Sequence, residues 1–206
     1  MEIKVLNDLY TDENTYFIIE NHEAIVIDPG VSYEKILSNI YDIKIKYILL
    51  THCHYDHIGS VNKLISCFDA KICCTEECAE NIKNVNISLT QMGLGKPEII
   101  ENAHIIFNDG DEFDFSGNKI KVIKTPGHTS CSVCYMIEDN LFTGDTLFFQ
   151  NVGRWDLPTG NGETLIKSIK EKIYSLDDDI TVYPGHGNKT SVGYEKKFNF
   201  YVNEKG

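Results

Sequence analysis

Thr51-His52-Cys53-His54-Tyr55-Asp56-His57 places three histidines and an aspartate within six residues. The apolar run Ile45 to Leu50 leads into this stretch, and apolar residues at helical spacing follow it: Ile58, Val61, Leu64, Ile65 and Phe68. The local reading is strand, ligand-rich turn, core-facing helix. Side chains of an extended chain alternate with period two, so His52 and His54 point one way and Cys53 the other. Asp56 and His57 follow where the chain enters the helix, so four donors converge on one small volume. Imidazole and carboxylate are the usual ligands of zinc and of non-haem iron. With 7 histidines in 206 residues, this spacing beside an aspartate points to a metal rather than to chance clustering on a solvated loop.

Upstream, three short strands are expected at 3–6, 15–20 and 24–27, with a tight connection at Asn21-His22-Glu23. Asp28-Pro29-Gly30 ends the third with turn chemistry. Ser32 is placed to cap a helix whose inner face carries Ile36, Leu37 and Ile40. Ile45 to Leu50 is apolar almost throughout, as in a strand covered on both faces. Its C-terminal end delivers the histidines, where open α/β sheets place their sites.

Downstream, a strand is expected at 70–75, a short helix at 76–83, and a poorly patterned connection or flap at 84–97. His104 opens a strand to Phe107 and reads as packing or solvent-facing. The acidic run 109–112 with Asp114 is a solvated turn, since a calcium loop needs more regular spacing. Lys119 to Lys124 leads to Pro126-Gly127-His128-Thr129. Strands at 132–137 and 140–143 close on Gly144-Asp145-Thr146. A loop at 148–162 precedes a helix at 163–176 with Leu165, Ile166, Ile169, Ile173 and Leu176 on one face. A last strand, 180–183, runs into Pro184-Gly185-His186-Gly187, and an aromatic-rich segment from Tyr194 docks as a short helix or tail. Strands and helices alternate in two strand-rich halves with no dividing linker, so one layered α/β domain spanning 1–206 is expected.

Composition excludes several classes. The net charge of −12 and the lack of a Lys/Arg-rich block argue against nucleic acid as a partner. No run of about 18 apolar residues suggests a membrane helix, and the N-terminus lacks a secretory pattern. The seven cysteines include the adjacent pair Cys73-Cys74, unlike a secreted disulfide framework, so a reducing, cytoplasmic setting is expected. Cys131 and Cys134 have C-x-x-C spacing but sit in a strand-like run with side chains on opposite faces, which favours two buried thiols.

Four sites then share one feature, a strand end followed by a metal-competent side chain: the 52–57 cluster, His128, Asp145 and His186. They use five of the seven histidines. Two of them follow Pro-Gly, which turns the backbone sharply enough to aim an imidazole over a sheet edge.

H-C-H-Y-D-H, then P-G-H-T, G-D-T-L-F and P-G-H-G in this order, resembles the metallo-β-lactamase superfamily from about Asp28 to the C-terminus. G-D-T-L-F with G-R-W-D-L-P, and Y-P-G-H-G with the later Glu195 and Asn199, most resemble its small glyoxalase II-like hydrolases. The resemblance implies a four-layer αβ/βα sandwich, two β-sheets flanked by helices. It implies one metal on His52, His54 and His128, a second on Asp56, His57 and His186, and Asp145 bridging them. Two divalent ions are expected, zinc first and iron or manganese as alternatives, sharing a hydroxide that attacks an activated acyl substrate; Asp56 orients that hydroxide or receives its proton. Asp28 resembles the early aspartate that supports the histidine loop from behind. Arg154 and Asp156 match the G-R-x-D element, either as a structural ion pair or facing substrate. Tyr55 reads as packing.

The substrate implied is a small molecule, a thioester of the hydroxyacylglutathione type. The added helical domain of full-length glyoxalase II enzymes is not expected within these 206 residues, which leaves another thioester, lactone or ester open. The resemblance also covers oxygen-using persulfide dioxygenases, with one Fe(2+) on His52, His128 and Asp145. A non-catalytic metal-binding regulatory module is the reading from a different class, and a missing ligand would favour it. The loops at 91–96 and 148–162 carry the substrate information.

Overall fold

The apolar run before the histidine stretch forms the parallel strand β4 (Lys44–Leu49), and unbroken burial continues from Ile48 through His54. Such a run can sit only inside a sheet covered by other elements. The computed structural model describes residues 1–92, 100 and 103–203. The chain divides into two units, Met1–Phe107 and Asn108–Gly206.

In the first unit, β1 (Glu2–Asn7), β2 (Asn14–Glu20) and β3 (Glu23–Ile27) form an antiparallel meander. Strand β3 then pairs in parallel with β4, followed by β5 (Lys71–Thr75) and β6 (Ile105–Phe107), giving a six-stranded sheet in the order 1-2-3-4-5-6. Helix α1 (Tyr33–Leu37) starts where expected, with Ser32 accepting a hydrogen bond from Lys35 N at 3.3 Å. Its inner face is narrower than the sequence pattern suggests. Ile36 and Ile40 are buried, but Leu37 is 42% exposed.

The helix expected after the histidines is split into α2 (Tyr55–Ile58) and α3 (Val61–Phe68). Ser60 explains the break: its N–H donates to Pro29 O at 2.9 Å and its hydroxyl to Val31 O at 2.6 Å. These bonds tie the turn to the Asp28-Pro29-Gly30 segment and take the Ser60 N–H out of the helical ladder. Gly30 is required there, since a Cβ would lie 1.6 Å from Asp56 O. Helix α4 (Glu76–Asn81) follows β5, capped by Thr75. Of the 84–97 connection, 93–97 lie outside the described residues; Thr90–Met92 form one 3-10 turn.

The second unit carries a sheet in the order β14-β13-β10-β9-β8-β7. Its strands are β7 (Glu112–Phe115), β8 (Asn118–Lys124), β9 (Val133–Ile137), β10 (Asn140–Gly144), β13 (Thr181–Pro184) and β14 (Thr190–Ser191). Strand β9 begins at Val133, so Cys131 precedes it. Both thiols of the C-x-x-C pair are nonetheless buried and outside any disulfide, with Cys131 beside Thr129 and Cys134 beside Thr125. Burial pushes the Cys134 thiol up to about 12, so it stays protonated and inert. The 148–162 segment contains a small hairpin, β11 (Leu147–Phe148) and β12 (Asn151–Val152).

Helix α5 (Gly162–Ser168) is capped by Asn161, and a π turn replaces α-helix over Ile169–Ile173, where Tyr174 N bonds Ile169 O at 2.9 Å. Leu165, Ile169 and Ile173 are all fully buried in one core with Leu141 and Val182. The C-terminal aromatic segment is helix α6 (Val192–Phe198).

A fully buried carboxylate, Glu195, pins α6 to the hairpin: it accepts from Gln150 N at 2.9 Å, Asn199 Nδ2 at 2.8 Å and Thr190 Oγ1 at 2.6 Å. Glu195→Ala would strand one buried and two half-buried donors, and a loss of roughly 3 kcal/mol is expected by chemical denaturation. A change under about 1 kcal/mol would show that the donors find other partners.

Candidate metal centre

Each unit gathers its metal-competent side chains at one end of its sheet. In the first, β3 and β4 run parallel with Ile27 opposite Leu49, so Asp28 and the Thr51-His52 pair leave the sheet side by side. Asp28, at φ 48°, bends the chain back. Its Oδ1 accepts from Thr51 N at 2.8 Å, and its Oδ2 contacts Thr51 Oγ1 at 2.5 Å and His57 Nδ1 at 3.0 Å.

A carboxylate accepts only, so the Thr51 proton and the His57 Nδ1 proton both point at Asp28. Thr51 Oγ1, its one proton spent, must then accept from His52 Nδ1, 3.0 Å away. One aspartate therefore sets two rings, directly for His57 and through Thr51 for His52. In both, Nε2 is left as the ligating nitrogen.

The three rings are close. His52 lies 4.8 Å from His54, edge-on, and 4.2 Å from His57. Ligand atoms of Asp28, His52 and His57 lie within 4.8 Å of one another. His52, His54 and His57 are buried, while Asp56 is half-buried on α2 and lines a cavity of about 860 Å³ with Leu9, Tyr10, Tyr33 and Tyr55. Cys53 is fully buried and outside any disulfide.

Behind this loop, Glu13 is fully buried, with its carboxyl 3.1 Å from Thr15 Oγ1. Thr15 donates to Asp28 O at 2.8 Å, so the Glu13 contact calls for a proton on the carboxyl. Burial raises that carboxyl well above its usual range; the charges of Asp28 and Asp56 act in the same direction and His57 opposes them.

In the second unit, β8, β10 and β13 all run the same way, because β9 is antiparallel to both β8 and β10 and β13 is parallel to β10. Their C-terminal ends deliver His128, Asp145 and His186, and Gly144 opposite Pro184 sets the last two adjacent. Gly127, at φ 145°, makes the turn before His128; a Cβ there would meet Leu165 Cα at 2.2 Å. Asp145 presents one oxygen to each imidazole: Oδ2 is 3.4 Å from His128 Nε2, and Oδ1 is 3.5 Å from His186 Nε2.

His128 Nδ1 lies 2.7 Å from the Arg154 carbonyl, which only accepts, so Nδ1 carries the proton. In its neutral form His128 would turn a lone pair toward a carboxylate, at a separation longer than a charge-assisted hydrogen bond. Two acceptors facing each other call for a proton or a cation between them. Arg154 thus reaches the cluster by its main chain. Its guanidinium is exposed and forms a two-pronged ion pair with Asp156 at 2.7 and 2.8 Å, contributing little to stability.

Thr51, Glu13 and the Arg154 carbonyl were not legible as site residues beforehand. The nearest signal is Thr15, a polar residue in an apolar strand.

The family model described as the metallo-beta-lactamase superfamily matches residues 11–186. The chain belongs to this superfamily. A probable metallo-hydrolase of Streptococcus pyogenes is 34% identical, covering 95% of this chain and 88% of its own. Hydroxyacylglutathione hydrolase GloC of Haemophilus influenzae is 31% identical across 100% of both chains.

Among solved structures, the B3 metallo-beta-lactamase BLEG-1 matches with a TM-score of 0.91 at 28% identity, covering 98% of this chain and 99% of that one. TTHA1623 in a di-iron-bound form matches with a TM-score of 0.86 at 28% identity, covering 97% and 100%. The fold is therefore the metallo-β-lactamase α/β fold, two mixed sheets flanked by helices. With its His/Asp clusters, the chain is a hydrolase of this superfamily. Among the described residues, no helix is long and apolar enough to cross a membrane.

Proposed function

We propose that the two clusters hold a binuclear metal centre that hydrolyses an activated acyl compound, with a thioester of the hydroxyacylglutathione type as substrate. His52, His54 and His128 would hold one ion, Asp56, His57 and His186 the other, and Asp145 both. The observation that carries this reading is the proton bookkeeping. His52, His57 and His128 each commit Nδ1 to an oxygen, which leaves Nε2 for a cation.

Seven donors exceed the needs of one tetrahedral ion and suit two. Two divalent ions, zinc first and iron or manganese as alternatives, would supply a hydroxide nucleophile and polarise the acyl carbonyl. The chain would supply the rest. Asp56, half-buried at the cavity, would orient the nucleophile and take up its proton, and Asp28 holds the His57 ring directly and the His52 ring through Thr51. The likeness to GloC over both full lengths supports the choice of thioester.

The test is one preparation with its metal content measured and two assays run in parallel, hydrolysis of lactoyl-glutathione and oxygen uptake with glutathione persulfide. Two ions per chain with thioester turnover are expected. Two ions with no thioesterase, lactonase or esterase turnover would overturn the reading, and so would one iron per chain with persulfide-dependent oxygen uptake.

A further inference from the structure

We propose that Glu13 is a positioning residue of the metal centre, a buried neutral acid that donates a hydrogen bond to Thr15 and so holds the turn carrying Asp28. The inference rests on the metal-centre reading above and adds the group that keeps its orienting aspartate in place. Thr15 Oγ1 decides the direction of the bond. It donates its one proton to Asp28 O at 2.8 Å and accepts from Val31 N at 3.2 Å. The two Glu13 oxygens lie 3.2 and 3.1 Å from the same hydroxyl. One lone pair is left on Oγ1, and a carboxyl can fill it only by donating. Glu13 therefore heads a chain of bonds that runs through Thr15 to the Asp28 carbonyl.

That chain meets a turn in need of holding. Asp28 has φ 48°, in the left-handed region, where a residue other than glycine persists only if its surroundings fix it. Asp28 O accepts from both Thr15 Oγ1 and Gly30 N at 2.8 Å, and Thr15 also secures Val31 N, so one hydroxyl spans the turn. Glu13 is fully buried behind it. A Cβ on Gly30 would overlap Asp56 O at 1.6 Å and Glu13 Cδ and Oε2 at 2.7 Å, so the turn has no slack on this side. Asp28 is thereby kept with its carboxylate on Thr51 and His57. An ionised Glu13 would leave Thr15 facing a second acceptor and set another negative charge behind Asp28. The main chain of Glu13 serves the neighbouring cavity too. Its carbonyl accepts from Asp8 N at 2.7 Å and its N–H donates to Thr11 Oγ1 at 3.4 Å, which anchors the 8–11 wall.

Glu13→Gln keeps a donor for Thr15, whereas Glu13→Met keeps the length of the side chain and loses the donor. Cobalt(II) titration of metal-free protein should show affinity at least about tenfold weaker in Glu13→Met, and restored to within about threefold of wild type in Glu13→Gln. Nitrogen NMR of the histidine rings in metal-free protein, at mildly alkaline pH, reads ring orientation without metal or turnover. Wild type and Glu13→Gln should hold the His57 proton on Nδ1, and Glu13→Met should show it shared between both nitrogens. The infrared difference spectrum of wild type against Glu13→Gln at neutral pH should contain the C=O band of a protonated carboxylic acid. Thr15→Val, which removes the relay itself, should match Glu13→Met and decides the question if that variant fails to fold.

A carboxylate band in place of the acid band would overturn the proposal, as would wild-type cobalt affinity and ring signals in Glu13→Met. Glu13→Gln as impaired as Glu13→Met would also overturn it, assigning the residue to shape rather than to hydrogen-bond donation. If wild type takes up no cobalt while the acid band is present and Glu13→Met frees the His57 proton, the metal reading fails and the role of Glu13 in setting the His57 ring stands.

Discussion

Asp145→Ala is expected to leave the purified protein with less than about a tenth of its wild-type metal and to lower thioester hydrolysis at least about a thousandfold. Its two oxygens each face a different imidazole, at 3.4 and 3.5 Å, so one substitution withdraws a donor from both proposed ions. A thousandfold loss corresponds to about 4 kcal/mol of transition-state stabilisation, within reach of a change that removes the nucleophile's source. The fold should survive, because Asp145 follows the end of β10 and makes no strand pairing of its own. Metal content by elemental analysis and the melting temperature separate the two effects. Full occupancy in the variant would refute the bridging role.

The second large effect is expected at Asp28, and here stability and metal affinity should fall together. Asp28→Ala removes the acceptor of the Thr51 amide, the Thr51 hydroxyl and His57 Nδ1, all buried. Stranding these donors should cost about 3–5 kcal/mol. The ring of His57 loses its orientation outright, and His52 loses it through Thr51, so metal affinity should drop a further 10- to 100-fold. Asp28→Asn should fall between wild type and alanine, since its carbonyl can still serve the Thr51 amide while its amide group opposes the donor on His57. Thr51→Val should loosen His52 alone. Equal metal affinity in wild type and Asp28→Ala would show that packing, not this aspartate, sets the rings.

The part of this protein that was legible in its sequence is the part governed by short-range rules. Period-two alternation in the stretch after β4 set the His52 and His54 rings near each other, 4.8 Å apart, and Pro-Gly before His128 and His186 marked sharp turns at strand ends. What was not legible depends on bonds between distant segments. The split after Ile58 comes from Ser60 reaching back to Pro29 and Val31, some thirty residues away, which no local helix pattern records. Leu37 fits the apolar face of α1 by spacing, yet the helix ends there and leaves it exposed. The π turn at 169–173 is a similar case, a local widening with its two core side chains, Ile169 and Ile173, still buried. Arg154 contributes its carbonyl, and a main-chain acceptor has no sequence signature. Glu13 is hidden for another reason: a charged residue at the start of a strand normally faces water, and only its burial beneath Asp28-Pro29-Gly30 shows otherwise.

The proposal at the centre of this account is that seven side chains hold two ions. A crystal structure of the metal-loaded protein, with anomalous difference maps at the metal edge, tests it most directly. Two peaks are expected, one ligated by His52, His54 and His128 and the other by Asp56, His57 and His186, with Asp145 on both. A single peak, or two peaks without Asp145 on both, would contradict the account.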